Sequence, residues 1–94
     1  MKKTQRTLTV LRAKIDKIDL SLLKLLHKRM LIAQKIGAFK VKNKMEPLQK
    51  SRWAKVLSSR TKIARQLKLS KKFTLNLFTL IHNESLSTQK KVKK

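Results

Sequence analysis

The sequence predicts an all-α chain of three helices, led by one long helix that needs a partner. Three observations predict it. The 94 residues hold one Gly and one Pro, too few for a turn-rich β fold. Leu8, Leu11, Ile15, Ile18, Leu22, Leu25, Arg29, Ile32, Ile36 and Phe39 recur at alternating steps of three and four, a heptad seam. The pattern breaks around Pro47, and two shorter amphipathic stretches follow.

The seam predicts a first helix from about Thr7 to about Lys42, on the order of 50 Å long at ~1.5 Å per residue. Such a stripe cannot be buried on its own helix, so it has to pack against a partner, most simply its copy in a dimer. Gly37 costs roughly 1 kcal/mol against Ala inside a helix, which points to close packing or close ligand approach there. Pro47 disfavours helix at Glu46 and suits the start of a second helix. That helix is expected from about Gln49 to Gln66, with Arg52, Val56, Ile63 and Leu67 roughly on one face. Lys68-Leu69-Ser70 reads as a turn with Ser70 as N-cap. The third helix is expected from about Lys71 to Lys90, with Phe73, Leu77, Ile81, Ser85 and Gln89 at steps of four. Residues 90–94 form a basic tail expected to fray. The length suits a single domain over residues 1–94.

Composition excludes several chemistries. Without Cys there is no disulfide, thiolate metal site or thiol nucleophile. Two His and four acids make a poor supply for zinc or calcium, and no Gly-rich loop cradles a phosphate. Neither cofactor nor metal is expected. No stretch approaches the roughly 18 apolar residues of a membrane span, and the basic opening lacks a signal-peptide apolar run, so a soluble cytoplasmic protein is expected. Lys+Arg outnumber Asp+Glu 26 to 4, for a net charge of +22, which attracts any polyanion. The four aromatics, Phe39, Trp53, Phe73 and Phe78, are too few for a base-stacking platform. A solvated lysine-rich surface with at most non-specific nucleic-acid contact is the simpler reading.

Polar residues interrupt the apolar faces at a few places. Arg29 occupies a core position of the seam, where an unpaired guanidinium is expensive. It either snorkels or pairs with an acid, or it receives an anionic ligand. Lys40 follows 11 residues later, three turns plus about 20°, so both point to nearly the same side. Their α-carbons are about 16 Å apart along the axis, and together they can clasp a small dianion. Arg12 lies about 42 Å from Lys40 along the helix. It is either an ordinary flanking charge or, in an antiparallel pair, part of a partner's site. Ser85 and Gln89 either extend the third-helix stripe into a pocket, where an amide can donate a hydrogen bond, or mark the helix running into solvent.

Together these positions resemble the all-helical chorismate mutases, the AroQ class. The matching stretches are LRAKIDKIDLSLLKLLHKRMLIAQKIGAFK, then Pro47 with Arg52 shortly after, then FTLNLFTLIHNESLSTQ. The LR-x2-ID-x2-D opening, the R-x10-K spacing and the closing I-H-x-E-S-x3-Q are specific as a set, and the likeness runs from about Leu8 to Gln89. It implies a three-helix protomer intertwined with a second through the long first helices, two sites per dimer, and one arginine lent to each site by the other chain. It also implies a small dianionic substrate, chorismate, rearranged to prephenate in aromatic amino-acid (Phe/Tyr) biosynthesis. That unimolecular pericyclic step needs no nucleophile, base, metal or cofactor, only a held reactive conformer and stabilised charge.

By the resemblance, Arg29 and a partner's Arg12 grip the carboxylates. Arg52 with Ser85 assists on the ring-carboxylate side, and Lys40 and Gln89 point donors at the ether oxygen. Three of six arginines in a chain with 20 lysines fall on these positions, consistent with bidentate carboxylate recognition. Two positions depart from the family pattern. Trp53 stands where the family usually carries the Glu that holds the substrate's ring hydroxyl, and is either a site residue or core. Gln49 stands where the family often has an acid, a milder change if backbone makes the contact. The first departure is shared with isochorismate–pyruvate lyases of the same fold, which remain an alternative. A non-catalytic, nucleic-acid-binding use of the same scaffold is a second alternative.

Overall fold

The computed structural model describes residues 2–91. Three helices form, α1 (Lys3–Lys42), α2 (Lys50–Gln66) and α3 (Lys71–Lys90), with no strand among the described residues. The helix α1 starts before the expected Thr7, because no Gly or Pro interrupts the chain there and Thr7 does not act as a cap. Thr7 and Thr9 return their hydroxyls to the carbonyls four residues earlier, at 3.1 and 2.9 Å, as threonines do when built into a helix. The expected fraying at the end of the basic tail, residues 92–94, lies outside the described residues.

Both inter-helix corners use the same stop. Lys44 adopts φ 56° and Lys68 φ 60°, the left-handed conformation that glycine usually supplies. At the end of α1, the Met45 amide donates to the Lys40 carbonyl and the Lys44 amide to that of Val41, at 2.8 and 3.2 Å. At the end of α2, Leu69 donates to Ala64 and Lys68 to Arg65, at 2.8 and 3.1 Å. These are paired Schellman closures. Ser70 then caps α3 by accepting from the Phe73 amide at 3.2 Å, as the turn reading anticipates.

The chain divides into two units, one ending at Leu31 and one from Ile32 onward. The first is the N-terminal part of α1, whose apolar residues are exposed apart from the half-buried Leu26 and Met30. The second holds the end of α1 together with α2 and α3. Its buried apolar residues are few and mostly small: Ala33, Val56 and Ala64. Gly37 is buried, as is Ala33 one turn before it on α1. The apolar residues of the heptad seam remain 43 to 61 % exposed, from Leu8 to Phe39.

The buried side of α3 differs from the expected stripe. Phe73 and Leu77 are exposed, whereas Thr74, Ser85 and Gln89 are buried. A line drawn at steps of four advances about 40° per step around a helix. Ser85 and Gln89 therefore lie about 120° and 160° from Phe73 and share a side with Thr74, not with the phenylalanine. On α2, Val56 is buried, while Arg52, Ile63 and Leu67 are exposed.

Candidate active site

The second unit brings Lys40 and Gln89 together across 49 residues of sequence. The Lys40 ammonium donates to Gln89 Oε1 at 2.9 Å and to the Pro47 carbonyl at the corner after α1. Lys40 reaches this place because it lies on the side of α1 that buries Ala33 and Gly37, seven and three residues earlier. The Schellman turn that its own carbonyl closes then brings Pro47 back toward it. Partial burial pushes the Lys40 ammonium below its ordinary pKa, because desolvation penalises the charged form.

This contact fixes the Gln89 amide. A lysine ammonium only donates, so it must face Oε1, which turns the two Nε2 donors away from it. An ammonium has three donors and two are engaged here, leaving one for a further acceptor. The pair thus offers several N–H donors from one cation and one neutral amide. Gln89 is only 9 % exposed and Ser85 one turn before it 7 %, so the solvent-facing alternative for these two residues does not hold. Ser85 also takes part in a contact within the chain.

The remaining candidate residues are spread over the three helices. Gln49 is the N-cap residue of α2, but its side chain makes no cap bond. Its amide donates instead to the Glu46 carbonyl at 2.8 Å, and its own carbonyl accepts from the Trp53 amide. Arg52 projects from the exposed first turn of α2. Arg29 is half-buried in the first unit and makes a contact within the chain, and Arg12 is exposed there.

One contact escapes sequence reasoning. The Trp53 indole stacks on the His82 imidazole, with ring centres 3.8 Å apart and planes 12° from parallel. It ties α2 to α3, as does Arg60 over the Phe78 ring at 5.9 Å. His82 precedes Ser85 by three residues and Gln89 by seven, so all three lie within about 60° on one side of α3. That spacing was the available signal, but a single His on a helix does not announce its partner.

A family model for chorismate mutase type II matches residues 11–90. The chain belongs to this family. The match spans α2 and α3 and most of α1, and it contains Arg12, Arg29, Lys40, Gln49, Arg52, Trp53, Ser85 and Gln89. Comparison with curated proteins and with solved structures gave no match. Membership in the chorismate mutase family supports mutase-type chemistry on chorismate, and the all-α fold agrees with it. No helix among the described residues is long and apolar enough to cross a membrane, and no group of three or more His, Cys, Asp or Glu there is placed to hold a metal.

Proposed function

We propose that this chain is a chorismate mutase, converting chorismate to prephenate as a homodimer with two sites. The observation that carries the reading is the Lys40–Gln89 hydrogen bond between the end of α1 and α3, formed by the two residues that the resemblance implies as donors to the ether oxygen. In the rearrangement the ether C–O bond breaks as a C–C bond forms, and negative charge grows on the oxygen. Donors fixed in advance at that point stabilise the transition state more than the ground state. The remaining Lys40 donor and the Gln89 Nε2 donors serve this role. Arg29 and Arg12 of the partner subunit hold the carboxylates, and Arg52 with Ser85 supports the ring carboxylate. Clamping both carboxylates favours the folded conformer in which the reacting carbons meet.

The dimer draws support from the seam. Large apolar side chains from Leu8 to Phe39 are exposed along α1, and burying each contributes roughly 1.5–3 kcal/mol. A second α1 bearing the same stripe is the simplest cover. In this reading, as the resemblance implies, the Arg12 of each site comes from the partner subunit. Solution in the cytoplasm and a place in Phe/Tyr biosynthesis follow from this reading.

The test is loss of chorismate absorbance with purified protein, repeated with Arg29→Ala. Turnover by the native chain and its collapse in the variant are expected. Full activity in the variant overturns the site assignment. Trp53 in place of a carboxylate favours one second reading, isochorismate–pyruvate lyase activity. Chorismate and isochorismate assayed side by side separate the two.

A further inference from the structure

We infer that Gln49 is a positioning residue: its side-chain amide fixes the corner between α1 and α2 and, through that corner, the Lys40 ammonium. The inference rests on reading Lys40 as a ligand donor. Three consecutive residues of the corner carry it. The Met45 amide donates to the Lys40 carbonyl at 2.8 Å. The Glu46 carbonyl accepts from Gln49 Nε2 at 2.8 Å. The Pro47 carbonyl accepts from the Lys40 ammonium. Lys40 thus grips the corner twice, by its main chain and by its side chain, and Gln49 holds the peptide that lies between the two grips.

The coupling between the Gln49 bond and the Lys40 bond is short and stiff. The Glu46 and Pro47 carbonyls belong to adjacent peptides, which are planar. Pro47 sits between them, and its ring fixes φ at about −65°. One soft dihedral, the ψ of Pro47, therefore separates the carbonyl held by Gln49 from the carbonyl that orients Lys40. Lys40, Pro47 and Gln49 are all half-buried. The residue type matters as well. Gln49 leaves α2 without a side-chain cap and spends an N–H on Glu46, a bond that a carboxylate, which only accepts, cannot make. Gln49→Glu keeps the side-chain length, and a carboxylate at the start of α2 suits the helix dipole. That substitution removes the bond and leaves the helix its support.

The experiment is a double-mutant cycle between Gln49 and Lys40 in the full chain, read in two ways. In chorismate turnover, Gln49→Glu is expected to lower kcat about three- to tenfold, the rate equivalent of one net hydrogen bond, with KM little changed. In a Lys40→Met background the same substitution should have no further effect. A loss that persists there means that Gln49 touches the substrate itself and overturns the positioning role, as does an unchanged kcat in Gln49→Glu. The second reading needs no activity. Denaturant midpoints of Gln49→Ala, Lys40→Met and the double variant should show a combined loss smaller than the sum, because either change alone releases the same three residues. Additive losses overturn the clasp. If the native chain turns over no chorismate, the mutase reading falls, and the midpoints alone decide whether Gln49 and Lys40 hold the corner together.

Discussion

Replacing Gln89 with Glu separates stability from catalysis in a way the Lys40–Gln89 geometry dictates. At 2.9 Å from the Lys40 ammonium, a carboxylate turns an ammonium–amide hydrogen bond into an ion pair. Coulomb's law gives about 1.4 kcal/mol at the dielectric constant of water and about 6 kcal/mol at an effective value of 20. The pair is only partly buried, and desolvating the new carboxylate opposes the gain, so a net stabilisation of about 1 kcal/mol is expected. That corresponds to a rise of roughly 4–8 °C in the melting temperature of a domain this size. Catalysis moves the other way. If Gln89 acts as proposed, the substitution removes both Nε2 donors and sets a negative charge against the ether oxygen, an expected loss of about 10²-fold or more by analogy with an oxyanion donor. Activity should return on acidification, as the carboxyl takes up a proton and again becomes a donor. The assays are a thermal melt and chorismate decay at neutral and acidic pH. A variant that melts lower, or one as active as the native chain at neutral pH, refutes the reasoning.

Other expectations follow from the same contacts. Lys40→Met should lower kcat by about 10²-fold or more, read by chorismate decay. Because burial depresses the Lys40 pKa, the native enzyme should keep a flat rate profile across neutrality and lose activity on the alkaline side before an ordinary lysine deprotonates. The sign for stability is opposite: the fold disfavours the Lys40 cation, so this residue's contribution to stability rises with pH through its depressed pKa, measurable as denaturant midpoints across that range. Lys68→Gly should stabilise the chain by about 0.5–1 kcal/mol, since a left-handed lysine costs roughly 1–2 kcal/mol and glycine's extra unfolded freedom returns part of that. A lower melting temperature for Lys68→Gly contradicts the Schellman closure seen at φ 60°.

The helical architecture was legible because its signals are local. The heptad seam, Pro47 and the Ser70 cap each act within a few residues, and α1, α2 and α3 end where those signals place them, apart from the early start at Lys3. The closing conformations at Lys44 and Lys68 were not legible. Glycine is the usual marker of a left-handed helix end, and this chain uses lysine at both. The buried side of α3 was misjudged for a geometric reason: a four-residue step drifts around the helix, so Ser85 and Gln89 parted from Phe73 and Leu77. Lys40 and Gln89 were legible as site candidates through the family pattern, but their direct hydrogen bond is a tertiary fact. The Trp53–His82 stack is tertiary too, joining side chains from two helices whose relative packing no periodicity encodes.

The proposed cation cleft is completed by a second copy of the chain, and mixing two inactive variants tests this most directly. Arg12→Ala and Arg29→Ala each disable both sites of their own homodimers. After unfolding, mixing in equal amounts and refolding, half the dimers are mixed, and each mixed dimer has one site with both arginines. Chorismate turnover should therefore recover to roughly a quarter of the native rate. No recovery in refolded dimers, or full activity of Arg12→Ala by itself, contradicts the shared site.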